Sequence, residues 1–145
     1  MMQEGDAMTT QIRVLLVDDQ PAIRQGLRLR LTTEPDMAVV GEAADGAEAL
    51  ELAIVHGPDV VVLDIWMPGM DGFETARQLR QLRAGTRVAI VMLSLHDDAA
   101  SRARALTAGA DVFVAKHEAD AQLVDAIRRV AAGVERRGQL TNGGP

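Results

Sequence analysis

The chain has 145 residues, is 48% apolar and 25% charged, and carries a formal net charge of −6, the profile of one soluble globular domain with a proper core and no room for a second. Its lack of cysteine excludes a disulfide scaffold, a thiolate metal site and a cysteine nucleophile, and the acidic balance excludes a broad nucleic-acid-binding face. The opening MMQEGDAMTT (1–10) is polar and acidic, and no apolar run approaches membrane-spanning length, which predicts a cytoplasmic protein with no membrane partner.

In chain order, Ile12 to Val17 reads as a buried strand, and Pro21 then stands where the first turn of a helix favours proline. Ile23, Leu27 and Leu31 recur on one face of that helix, leaving Arg24, Arg28 and Arg30 for water, and the helix stops near Glu34-Pro35. Met37 to Ala43 is a weaker second strand, followed by a helix carrying Ala47, Leu50 and Ile54 and stopped by Gly57-Pro58. Val60 to Leu63 is the third strand. Asp71 with Glu74 resembles a capping box for a helix through Phe73, Ala76 and Leu79. Val88 to Leu93 is the fourth strand, and Asp97 or Asp98 caps a short alanine-rich helix ending before Gly109. Asp111 to Ala115 is the fifth strand, and Leu123, Ile127, Val130 and Val134 share a face of the last helix. Residues 11–134 form the domain. Residues 1–10 read as a flexible tail, and 135–145 as a tail or the start of a linker.

Strand and helix alternating at this spacing predict a single doubly wound (βα)5 domain of the α/β class, with a parallel sheet covered on both faces. Ligands of such sheets bind beyond the carboxyl ends of the strands. Four apolar runs end there on residues suited to phosphate or metal: VLLV on Asp18 and Asp19, VVVL on Asp64, AIVML on Ser94 and VFVA on Lys116. Two carboxylates about 4 Å apart repel by about 4 kcal/mol at an effective dielectric near 20, so Asp18, Asp19 and Asp64 need a positive partner. Mg²⁺ prefers oxygen ligands and completes its shell with water and phosphate. Aspartate is a known covalent phosphoryl acceptor, and a metal, a lysine and a hydroxyl would neutralise the transferred oxygens. Asp64, alone at a central strand end, is the best acceptor. Each residue also has a plain structural reading. Asp19 could cap the first helix, Asp64 and Ser94 could be loop-entry or turn residues, and Lys116 an exposed strand-end charge. Trp66 and Met67 read singly as loop packing, and His96 as a solvated loop histidine.

The spacing Asp18-Asp19, Asp64, Ser94, Lys116, with MPGMDG (67–72) after the acceptor and GADVFVAK (109–116) ending on the lysine, closely resembles the receiver domain of two-component response regulators over about residues 11–133. DDQPAIRQGL (18–27) and VVGEAADGAEAL (39–50) resemble the NarL/FixJ (LuxR-type) subfamily, whose members usually carry a helix-turn-helix domain after the receiver. The resemblance implies a flavodoxin-like sheet of order 2-1-3-4-5. It implies that Asp64 accepts a phosphoryl group from a sensor histidine kinase or a small phosphodonor. Asp18, Asp19, Asp64 and the backbone carbonyl of Trp66 would hold Mg²⁺. Ser94 and Lys116 would bind phosphoryl oxygens, Ser94 and Phe113 would form the switch, and Trp66 and His96 would tune the lifetime of the acyl phosphate. Phosphorylation would alter the face of the fourth helix, fifth strand and fifth helix, or that of the first and fifth helices. That change would control homodimer formation and a transcriptional output domain. The domain itself would touch no nucleic acid, and would act as an enzyme only in phosphorylating and dephosphorylating itself. A stand-alone receiver, acting by docking or as a phosphate sink, is the alternative.

The chain departs from the family where His117, not proline, follows the lysine; a cis bond there costs about 3–4 kcal/mol. The switch aromatic is phenylalanine, which buries but has no hydroxyl to bond. A haloacid-dehalogenase-type phosphatase would need a carboxylate where Trp66 stands, and a flavodoxin-type cofactor loop would not carry Asp18-Asp19, which repel phosphate unless a metal intervenes. An unphosphorylated docking module would leave five chemically competent positions unexplained.

Overall fold

The computed structural model describes residues 10–82, 88–95 and 98–143, with 134–143 described by backbone alone. Residues 1–9 of the expected tail therefore lie outside the described residues, as does His96. The elements are β1 (Ile12–Val17), α1 (Pro21–Thr32), β2 (Met37–Ala43), α2 (Gly46–His56), β3 (Val60–Asp64), α3 (Gly72–Gln81), β4 (Ala89–Ser94), α4 (Ala99–Ala108), β5 (Val112–Ala115) and α5 (Ala119–Gly143), with a 3₁₀ turn at Lys116–Glu118. The five strands are parallel in the order β2-β1-β3-β4-β5, as expected.

Alternation along the strands divides the core in two. Leu15, Val17, Val61, Leu63, Ile90, Met92 and Phe113 point to the face covered by α2, α3 and α4. Val14, Leu16, Val60, Val62, Val91 and Val114 point to the other, against Leu31 of α1 and Leu123 and Ile127 of α5. β3 and β4 are buried along their whole length, which is why their sequences are continuous aliphatic runs. Burial of each such side chain contributes about 1.5–3 kcal/mol.

The caps follow the sequence signals. Asp71 and Asp98 accept hydrogen bonds from Glu74 N at 2.9 Å and Ser101 N at 2.7 Å, and Gly57 and Gly109 close α2 and α4 at φ 55° and 116°, a conformation only glycine adopts without strain. The apolar face of α2 is turned from the expected one. Ala49 is buried and Leu50 and Ala53 pack on the core, whereas Ile54 is 55% exposed. Gly46 starts this helix in close approach to α3, where a Cβ would lie 2.3 Å from Thr75 Oγ1. α5 stays helical to Gly143, past residue 134 where the sequence reading ends the domain. A single Gly138 in a run of good helix formers costs about 1 kcal/mol, too little to stop a helix. No cis peptide occurs among the described residues, so Lys116–His117 is trans. Among them, too, no helix is long and apolar enough to cross a membrane.

Candidate functional site

Register brings the acidic residues together. Val17 pairs with Leu63, so the next residues, Asp18 and Asp64, emerge side by side from strands spaced about 4.8 Å apart. Ser94 ends β4 opposite Ala115, which sets Lys116 one step beyond the same edge. One carboxylate oxygen from each of Asp18, Asp19 and Asp64 lies within 4.8 Å of the others. Asp18, Asp64 and Ser94 are 1%, 5% and 0% exposed, and Asp19 is half-buried.

Lys116 Nζ bridges the pair, 3.0 Å from Asp18 Oδ2 and 3.2 Å from Asp64 Oδ1. Asp18 Oδ1 accepts a hydrogen bond from Gln20 N at 2.9 Å. Asp18 Oδ2 is buried, and Lys116 is its ion-pair partner. Asp19 does not cap α1: the cap position is Gln20, which makes no side-chain cap bond.

Burial raises the Asp64 carboxyl from 3.8 to about 6, reinforced by the charge of Asp18 and opposed by Lys116. Burial pushes the Lys116 ammonium down, but hydrogen bonding and charge from Asp18 and Asp64 outweigh it and the net shift is upward. One ammonium among three carboxylates leaves excess negative charge. That excess and the all-oxygen donor set of Asp18, Asp19 and Asp64 fit a hard divalent cation such as Mg²⁺.

The β3–α3 loop is held close. Gly72 N donates to Ile65 O at 2.7 Å, and a Cβ on Gly72 would lie 2.5 Å from the Asp64 carbonyl oxygen. Only glycine permits this approach. Trp66, two residues after Asp64, is half-exposed and meets the Phe73 ring edge to face at 6.3 Å. Arg104 of α4 stacks its guanidinium 4.2 Å from the centroid of that same ring, and Arg102 does so at 4.7 Å over buried Phe113.

The sequence reading passed over several of these residues. Arg24, assigned to water, turns back to donate from NH1 to the Asp18 carbonyl oxygen at 2.7 Å. Gly72 lies within the quoted MPGMDG segment, but its contact with Asp64 has no signal in the spacing. The arginine stacks depend on helix placement, and no local pattern announces them.

Comparison with known proteins decides the family: residues 14–128 match the response regulator receiver domain. The chain belongs to that family. The receiver is 38% identical over 120 residues to the nitrate/nitrite response regulator protein NarL of Escherichia coli K12, covering 83% of this chain and 55% of that protein. It therefore spans about half the length of the curated relatives it matches. The signal receiver domain of the putative response regulator NarL from Mycobacterium tuberculosis superposes with a TM-score of 0.80 at 39% identity, covering 86% of this chain and 98% of that one. The CheX–CheY–BeF3–Mg²⁺ complex from Borrelia burgdorferi contains a chain that superposes at 0.76 and 28% identity, covering 83% of this receiver and 90% of that chain. The relatives at 37–42% identity are NarL/LuxR-type response regulators.

Proposed function

We propose that this receiver is a phosphorylation-activated switch in which Asp64 takes a phosphoryl group from a histidine kinase or a small phosphodonor. The observation that carries the reading is the Lys116 bridge between the buried carboxylates of Asp18 and Asp64. The Asp64 group, at about 6, is mostly ionised at neutral pH and is a competent nucleophile. A carboxylate oxygen forms the new P–O bond as the bond to the donor's imidazole nitrogen, or to the small donor's leaving oxygen, breaks. The electron pair leaves with that group. Lys116 then exchanges its contact with Asp64 for a phosphoryl oxygen, and the Ser94 hydroxyl donates to another.

Asp18 and Asp19, with Asp64 and the Trp66 carbonyl, are the residues to hold Mg²⁺, which supplies positive charge to the phosphoryl oxygens. A chain solved with BeF3 and Mg²⁺ shares the fold, which supports this assignment. Phe113 is buried on β5 opposite Met92, two residues before Ser94, and under Arg102 of α4, so a shift of Ser94 toward the phosphoryl group would act on the packing of β5 and α4. The expected consequence is a change at the α4–β5–α5 or α1–α5 face that alters dimer formation and the output of a regulator carrying this receiver. Trp66, two residues after Asp64, and His96, two after Ser94 in the sequence, are the residues assigned to tune the lifetime of the acyl phosphate.

Incubation with acetyl phosphate and Mg²⁺, followed by intact mass measurement, tests the assignment. One phosphoryl group should add to the wild type and none to Asp64→Asn or to wild type in EDTA. No addition, or addition that survives Asp64→Asn, overturns it.

A further inference from the structure

Arg24 lies in the first turn of α1, where an arginine ordinarily extends into water. Its side chain is instead only 18% exposed. It donates from NH1 to Asp18 O at 2.7 Å and from Nε to Glu42 Oε1 at 3.2 Å. Glu42, on edge strand β2, is itself held by Arg28 NH1 at 2.6 Å through its other oxygen. A chain of charge-assisted contacts thus runs Arg28–Glu42–Arg24 and ends on the peptide carbonyl of Asp18, whose buried carboxylate belongs to the acidic cluster.

The backbone at Asp18 is pinned from three sides. Its N–H donates to Ala43 O at 3.1 Å, its carboxylate Oδ1 accepts from Gln20 N at 2.9 Å, and its carbonyl accepts from Arg24. The first is a backbone contact of the sheet, and the second ties Asp18's own carboxylate to a backbone N–H of the turn. The third comes from the side chain of another residue, and it acts on the peptide joining Asp18 to Asp19.

We infer that Arg24 is a positioning residue for the acidic site, fixing the Asp18–Asp19 peptide so that both carboxylates converge on the cation. This rests on the metal reading given above. The inference makes a prediction of sign. A guanidinium near a cation site repels the cation, so if charge alone mattered, removing it would tighten Mg²⁺ binding. If orientation matters, removal loosens binding, as loss of outer contacts to metal ligands does in other sites, by about tenfold or more.

Mg²⁺ titration by calorimetry on wild type, Arg24→Ala, Arg24→Lys, Arg30→Ala and Asp19→Asn separates these. Arg30 pairs with Glu34 at 2.8 Å on the same helix and controls for the loss of an ion pair away from the site. Arg24→Ala should raise the Mg²⁺ Kd about tenfold, Arg24→Lys should recover most of that loss through its single retained donor, and Arg30→Ala should match wild type. Urea denaturation in EDTA establishes that each variant is folded; should Arg24→Ala not fold, Glu42→Gln, which frees Arg24 from its anchor, must weaken Mg²⁺ in the same direction. An unchanged or tighter Kd in the folded Arg24 variant, or a loss equalled by Arg30→Ala, overturns the positioning role while leaving the metal site intact. Absence of Mg²⁺ binding by wild type, or binding unaffected by Asp19→Asn, overturns the metal site itself and the inference with it.

Discussion

Replacing Asp64 by asparagine should stabilise the metal-free protein, although it removes a residue at the centre of the site. Burial first, and then the Asp18 charge, lift the Asp64 carboxyl from 3.8 to about 6, which means that the folded state holds the charged form at a disadvantage. At 1.36 kcal/mol per pH unit, the difference corresponds to a ceiling of about 3 kcal/mol. Solvent at the open mouth of the site screens part of this, and Lys116 loses one of its two partners, so the expected net gain is about 1–2 kcal/mol at pH 7.5. The sign follows from linkage. Between about 4 and 6 the native state keeps a proton that the unfolded chain has released, so wild-type stability attributable to Asp64 is whole below 3.8 and is lost as pH rises through about 6. The difference between variant and wild type should therefore be near zero at pH 4, grow to pH 6.5 and then level off. Urea denaturation in EDTA followed by Trp66 emission measures it, since Trp66 is the single tryptophan. Mg²⁺ at a hundred times its Kd stabilises a protein by about 2.7 kcal/mol and should bring wild type level with or above the variant. An Asp64→Asn protein no more stable than wild type at pH 7.5, or a difference that does not change with pH, refutes the reasoning.

Gly72→Ala places a Cβ 2.5 Å from the Asp64 carbonyl oxygen; the loop must shift, costing about 1–3 kcal/mol, and the rate of phosphorylation by acetyl phosphate should fall while Gly26→Ala, with open space around its Cβ position, leaves that rate unchanged. Arg104→Ala removes the stack over Phe73 and should lower stability by about 0.5–1 kcal/mol, with faster amide exchange confined to α4, whose buried anchors are only Ala105 and Ala108; protection equal to wild type would show that the stack does not hold the helix. Trp66→Ala should hasten loss of the phosphoryl group in a chase by intact mass, because it removes a bulky side chain two residues after Asp64 that is packed on Phe73; an unchanged or slower loss removes Trp66 from any role in lifetime.

The strands were legible because β3 and β4 are covered on both faces and can contain little except aliphatic residues. The polar residues at their ends were legible for the complementary reason. Asp64 and Ser94 break runs that burial would otherwise continue, and both are nevertheless buried. Helix starts at Asp71 and Asp98 could be read from a local hydrogen bond three residues long. Arg24 could not be read in the same way, since its place in an amphipathic pattern is a solvent position and its partners, Asp18 and Glu42, come from two other elements. Ile54 was misread for a related reason. Which face of α2 is buried depends on how the helix packs against β2 and α3, not on periodicity within α2 alone. The length of α5 escaped because a glycine and a polar composition resemble a tail, yet neither is a strong helix terminator.

Sequence by itself determined which residues reach the carboxyl edge of the sheet, because alternating strands and helices admit one hand of crossover, and so gather Asp18, Asp19, Asp64, Ser94 and Lys116 on one side. Tertiary structure alone decided what those residues do to one another. The pairing of Val17 with Leu63 sets Asp18 beside Asp64, the Lys116 ammonium falls between them, and exclusion of water raises the Asp64 carboxyl to about 6. Charge interactions depend on distance and on local dielectric, and both are properties of the packed molecule rather than of spacing along the chain.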